Sequence, residues 1–181
     1  MFHLLRPCRQ VGSVLEIDLD ELRELGIRGI LLDLDNTLLA WDNLVLSDEV
    51  QNWVRHAIAE GFQLCIVSNA HWMRLETQSV VLGIPYVADA MKPSTRAMRK
   101  ALDLMGLSSH QAAMVGDQIF TDILGGNRLG LFTILVVPIF LKEQWWMKGV
   151  RWMETRVVRT LRGRGRRIWR GRELKSKVHK N

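Results

Sequence analysis

The sequence predicts a doubly wound, parallel α/β sheet of Rossmann-like type, followed by a basic amphipathic C-terminal segment. Short β-like runs alternate with helical patterns at the spacing of βαβ crossovers. The run Gly29-Ile30-Leu31-Leu32 is apolar without alternation, as in a strand covered on both faces. It ends abruptly in Asp33 and Asp35, at the kind of strand edge where open α/β sheets bind ligands. With 181 residues, the chain suffices for one such domain with a real core plus an appendage, placed at 1–140 and 141–181.

Residues 1–15 read as an irregular lead-in. Ile17 to Leu25 carries Leu19, Leu22 and Leu25 in a short helical pattern that Gly26 stops. After the strand that ends at Asp33, Ser47 is placed to cap a helix with Asp48 and Glu49 in its first turn, running through Glu60 to Gly61. Phe62 to Val67 is the second strand, Arg74 to Leu82 a helix, and Tyr86-Val87 a short strand. Pro93 starts and Gly106 stops a helix from Ser94 to Met105. Ala112 to Val115 feeds Asp117, a helix follows to Arg128, and Leu131 to Val136 is the fifth strand.

Two cysteines, Cys8 and Cys65, are far apart and lack zinc-ligand spacing, which argues against a disulfide scaffold and suits a reducing, cytoplasmic setting. No secretory leader is expected. The longest apolar run, Leu131 to Leu141, is broken by Pro138 and falls short of the ~20 residues of a spanning helix. The net charge of +6 divides unevenly. From Lys148 onward, thirteen Lys and Arg face only Glu154 and Glu173, whereas the preceding residues hold twelve basic against seventeen acidic side chains. Bulk charge therefore meets an anionic partner through the tail.

In that tail Trp146, Val150, Met153, Val157 and Leu161 form one helical stripe, while Lys148, Arg151, Thr155, Arg159 and Arg162 form another. With Trp145, Trp152 and Trp169 added, residues 145–170 have the composition of a helix lying in an anionic membrane interface, so peripheral membrane association is expected. The plainer readings are a solvated tail or a stripe packed back on the domain. Nucleic acid is a weaker alternative partner, because Arg162-Gly163-Arg164-Gly165-Arg166-Arg167 resembles RGG-like segments.

Asp33 and Asp35, two apart, would crowd two negative charges if the strand continued, and a divalent metal is the simplest relief. Taken alone, a D-x-D is more often a turn former, Ser68-Asn69 a helix cap and Lys92 a solvated lysine. His56 and His71 have no matching partners and read as structural or surface residues. The pieces gain meaning together.

Asp33-Leu34-Asp35-Asn36-Thr37, Ile66-Val67-Ser68-Asn69, Met91-Lys92-Pro93 and Gly116-Asp117-Gln118 through Asp122 resemble, in order, the four motifs of the haloacid dehalogenase (HAD) superfamily. Ile17-Asp18-Leu19-Asp20-Glu21-Leu22, Gly26-Ile27-Arg28-Gly29-Ile30 and Thr121-Asp122-Ile123-Leu124-Gly125-Gly126-Asn127-Arg128 sharpen this to the YqeG family of subfamily IIIA phosphatases, related to phosphatidylglycerophosphate phosphatases. The resemblance implies an Mg²⁺-dependent phosphomonoester hydrolase with a HAD-like core. It implies Asp33 as nucleophile and metal ligand, and Asp35 as acid/base whose main-chain carbonyl binds the metal. Ser68 and Lys92 would hold the phosphoryl oxygens, with Asn36, Thr37 and Asn69 in support. Asp117 would be a metal ligand and Asp122 an outer one. It further implies a phosphorylated, lipid substrate, the rivals being a soluble phosphatase of sugar phosphates or nucleotides and an RNA- or ribosome-associated protein. Neither gap where superfamily members insert a cap, 38–65 or 70–91, has room for one, so an open site is expected.

Overall fold

A computed structural model of the chain describes residues 2–139. Its sheet is built from β1 (Arg9–Val11), β2 (Gly29–Leu32), β3 (Gln63–Val67), β4 (Tyr86–Val87), β5 (Ala112–Gly116) and β6 (Phe132–Val136). Among the described residues these six strands lie in the order β1-β6-β5-β2-β3-β4, every neighbouring pair parallel. The helices are α1 (Leu19–Glu24), α2 (Asp48–Ala59), α3 (Trp72–Leu82), α4 (Arg96–Met105) and α5 (Leu124–Leu129). The sequence-predicted α/β architecture is the observed one.

The four residues of β2 are all buried, because the sheet is covered on both faces. Ile30 and Leu32 face one layer with Leu64, Ile66, Val54, Ala57 and Leu75, which brings α2 and α3 onto that side. Leu31 faces the other with Cys65, Met98, Ala101 and Met114, bringing α4. At α5 the backbone itself must come close: a Cβ on Gly126 would stand 2.7 Å from Thr133 Cγ2 and one on Gly125 2.8 Å from Met98 Cε. Glycine's cost inside a helix is accepted there for that contact.

Register decides what reaches the edge. Leu32 pairs with Ile66 on one side and Val115 on the other, and Asp33 N–H continues the ladder to Val115 O at 2.9 Å. Asp33, the Val67-Ser68 step and the Gly116-Asp117 step therefore leave the sheet at one level. This is where the chain switches from building β3 and β4 on one side of β2 to building β5 and β6 on the other, and such switch points open a crevice.

The structure corrects several local expectations. The lead-in over 1–15 is not irregular throughout: Arg9–Val11 pairs with Ile134, Leu135 and Val136 as the edge strand β1. Three residues, two of them exposed polar side chains, carry no period-2 signal long enough to read. The helix expected from Arg74 starts at Trp72, and the one expected from Ser94 starts at Arg96. After Asp117 a five-residue π-helical turn, Ile119–Ile123, precedes α5. Residues 141–181 lie outside the described residues.

Replacing Gly126 by Ala should force α5 away from β6 and cost about 1–3 kcal/mol, read by urea denaturation. An unchanged midpoint would mean that the helix does not rest on the sheet as described.

Candidate active site

The loop after β2 presents Asp33, 5% exposed, and Thr37, whose hydroxyl donates to Asp33 Oδ2 at 3.4 Å. Asn36 is also buried and takes a left-handed φ of 62° to turn the chain, as asparagine tolerates. Beyond β3, buried Ser68 accepts the Ala70 N–H at 3.2 Å, and exposed Asn69 accepts the Lys92 N–H at 2.8 Å. Asn69 thereby ties the second expected segment to the third. The Thr37–Asp33 and Ala70–Ser68 bonds are local turns that fix a side chain at the strand edge.

Lys92 is buried and holds the site together: its Nζ lies 2.5 Å from Asp33 Oδ1 and 2.7 Å from Asp122 Oδ1. Burial alone would lower the Lys92 pKa, but the Asp122 and Asp33 carboxylates outweigh it and raise it, so the ammonium is firmly charged. Asp122, 1% exposed, comes from the π-helical turn, and its Oδ2 accepts the Gln118 N–H at 3.1 Å. A Cβ on Gly116 would lie 2.3 Å from Asp122 Cγ, so glycine at the end of β5 is what lets this carboxylate fold under the site.

Lys92 bridges two acids, Asp33 and Asp122, and Asp117 stands beside them. Carboxylate oxygens of Asp33, Asp117 and Asp122 all fall within 4.8 Å of one another, and all three residues are buried. Burial, opposed by Lys92 and reinforced by the Asp33 charge, pushes the Asp122 pKa up to about 6. A site of this kind gains from a cation. An all-oxygen, carboxylate-rich donor set suits a hard divalent ion rather than a thiolate- or imidazole-seeking one. The residues present therefore fit a metal of the Mg²⁺ type. The carboxylate of Asp35 is not in this cluster.

Asp35 faces the mouth instead. Arg74 of α3 binds it, Nε to Oδ1 at 2.9 Å, and its Nη2 reaches Ala40 O at 3.3 Å. Burial raises the Asp35 pKa above the ordinary carboxylate value against the pull of the Arg74 charge, with the Asp33 charge adding to the rise. Because β2 stops at Leu32, the two aspartates do not stay on one face of a strand: Asp33 is held by Lys92 and Asp35 by Arg74. Sequence reasoning did not single out Arg74, whose partner lies 39 positions away. The one usable signal was a basic side chain in the first turn of the helix that leaves the second strand. His71 is exposed beside Trp72 and His56 is exposed on α2, as structural or surface residues would be.

The expected site residues thus converge at one sheet edge, with only loops, α2, α3 and β4 filling the intervals where a cap could stand. Carboxylates gathered on a buried lysine, across the carboxyl ends of the central strands and in the chain order Asp33, Ser68, Lys92, Asp117, define a HAD-type phosphatase, a phosphoric monoester hydrolase. The HAD-hydrolase-like family matches residues 90–138. The chain is 35% identical over 163 residues to the probable phosphatase YqeG of Bacillus subtilis (strain 168), covering 90% of this chain and 95% of that one. It belongs to the YqeG family. It is also 26% identical over 147 residues to the chloroplastic/mitochondrial phosphatidylglycerophosphate phosphatase 1 of Arabidopsis thaliana, covering 76% of this chain and 42% of that protein. The fold is shared with the cobalt-bound deoxy-D-mannose-octulosonate 8-phosphate phosphatase YrbI of Haemophilus influenzae (TM-score 0.51, 14% identity, 75% of this chain and 89% of that one).

Asp122 gives a pH signature in metal-free protein. Its folded pKa is raised from 3.8 to about 6, so the stability linked to its proton is full below pH 4 and is lost as pH rises through 6. Relative to Asp122→Asn, the wild type should lose stability between these limits, measured by denaturation in chelator. A pH-independent difference would contradict the burial argument.

Proposed function

We propose that this phosphatase is Mg²⁺-dependent and removes the terminal phosphate of phosphatidylglycerophosphate in phospholipid synthesis, through an aspartyl-phosphate on Asp33. The observation that carries the chemistry is the Asp33–Lys92–Asp122 cluster with Asp117 beside it. The lipid substrate is supported by the likeness to phosphatidylglycerophosphate phosphatase.

Asp33, its Oδ1 held by Lys92, directs a carboxylate oxygen at phosphorus; the new O–P bond forms as the bond to the leaving alkoxide breaks. Asp35 gives its proton to that alkoxide. It then takes a proton from the water that attacks the phosphorus, releasing inorganic phosphate and restoring Asp33. Ser68 and Lys92 hold the transferring oxygens, and Asn36, Thr37 and Asn69 keep the loops in place. Mg²⁺, held by Asp33, Asp117 and the Asp35 main-chain carbonyl with Asp122 behind, would offset the charge of the phosphoryl group. Arg74 keeps the Asp35 carboxyl at the mouth, where a leaving group must depart.

Among the described residues no cap stands over the site, which suits a substrate that is large or fixed in a surface, since no lid needs to close over it. The expected basic tail would add attraction to anionic lipid, about 1 kcal/mol for each engaged Lys or Arg. No described helix is long and apolar enough to cross a membrane.

Phosphate release from phosphatidylglycerophosphate should require Mg²⁺ and should fall at least about 10³-fold in Asp33→Asn. Turnover that survives this change would overturn the covalent route. Far faster turnover of water-soluble sugar phosphates or nucleotides than of the lipid would instead favour a soluble-substrate phosphatase.

A further inference from the structure

Large apolar side chains stand exposed around the site. Leu44 and Val45 are 70% and 71% exposed, Met73 61% and Met91 79%, and Trp41 and Trp72 more than two-fifths. Single exposed apolar residues are ordinary on any protein; several gathered on one face are not. These six sit on the segments that follow β2, β3 and β4, and in a parallel sheet those segments share the carboxyl edge that carries Asp33 and Ser68.

The display is built. Asn43 Oδ1 accepts the N–H groups of Leu44 and Val45 at 2.8 and 3.2 Å, turning both side chains out at the loop tip. Buried Gln78 donates to Leu44 O at 2.9 Å, and Arg74 reaches Ala40 O, so the loop is fastened along α3 beside Trp72 and Met73. Met91 points outward while the adjacent Lys92 is buried in the site. The described chain also ends at this face: Ile139 N–H donates to Asn36 O at 2.9 Å. From that point residues 140–181 carry fourteen Lys and Arg against three acidic side chains.

We propose that this face docks on an anionic phospholipid bilayer, with Trp41, Leu44, Val45, Trp72, Met73 and Met91 entering the interface, the basic charge of residues 140–181 favouring an anionic surface over a neutral one. Apolar side chains that enter the headgroup boundary next to a cationic segment are the combination that holds interfacial proteins. The phosphate site then opens directly onto the lipid surface. The choice of a lipid as substrate rests on the function proposed above, whereas docking rests on the face itself.

The test uses the full chain and vesicles free of phosphatidylglycerophosphate, made of phosphatidylcholine with or without phosphatidylglycerol. Wild type should cosediment with the anionic vesicles. In high salt, where the tail's attraction is screened, Leu44→Ser/Val45→Ser/Met73→Ser should bind about tenfold more weakly, with turnover of a soluble aryl phosphate unchanged. Should that variant fail to fold, Val45→Trp supplies the opposite readout and should bind several-fold more tightly. Unchanged vesicle binding in both variants would overturn the proposal. So would a wild-type dimer dispersed by the triple change, or RNA binding lost in its place. Docking with no turnover of phosphatidylglycerophosphate in detergent micelles would sink the substrate and spare the surface; turnover in micelles without docking would do the reverse.

Discussion

The buried contact of Lys92 with Asp33 and Asp122 is the constraint on which the site depends. Taking charges out of water is costly, and an ammonium between carboxylates offsets that cost only where the geometry is good. Here it joins the segments that follow β2, β4 and β5 at one point. Asp117 stands in the same cluster, and burial above all, with the Asp33 charge adding to it against the pull of Lys92, raises the Asp122 pKa. A phosphoryl group adds further negative charge, so a cation is the natural complement of both the free site and the loaded one. Protein charge, metal demand and substrate charge are one electrostatic problem.

The fold's part is to bring those segments to one level. Parallel pairing of β2 with β3 and β5 sets Asp33, Ser68 and Asp117 side by side through the main-chain ladder. Glycines do the close work: Gly116 leaves space for Asp122, while Gly125 and Gly126 let α5 settle on β6 and α4. The same edge carries the exposed apolar rim, so the segments that hold the chemistry also present the proposed docking face.

What could be read from the sequence followed from signal length. β2 was legible because four apolar residues run straight into aspartate, and the five-residue runs of β3 and β5 likewise end in Ser68 and Asp117. Helix α2 was legible from Ser47, whose hydroxyl accepts the Val50 N–H as a cap should. β1 was not, since its pairing is set by β6, more than a hundred residues away. Nor was the pairing of Arg74 with Asp35, which exists only after α3 and the β2 loop are brought together. The π-helical turn escaped because the helical pattern continues through it, although that turn is what aims Asp122. The tail's periodic stripes lie outside the described residues.

The most direct measurement is calorimetric titration of Mg²⁺ into the phosphate-free protein, wild type against Asp117→Asn. The account requires saturable uptake at a single site in the wild type, at least about tenfold weaker in the variant. Absence of uptake by a folded wild type, or equal affinity in the two proteins, would show that the crowded carboxylates are not a metal site and would remove the basis of the proposed chemistry.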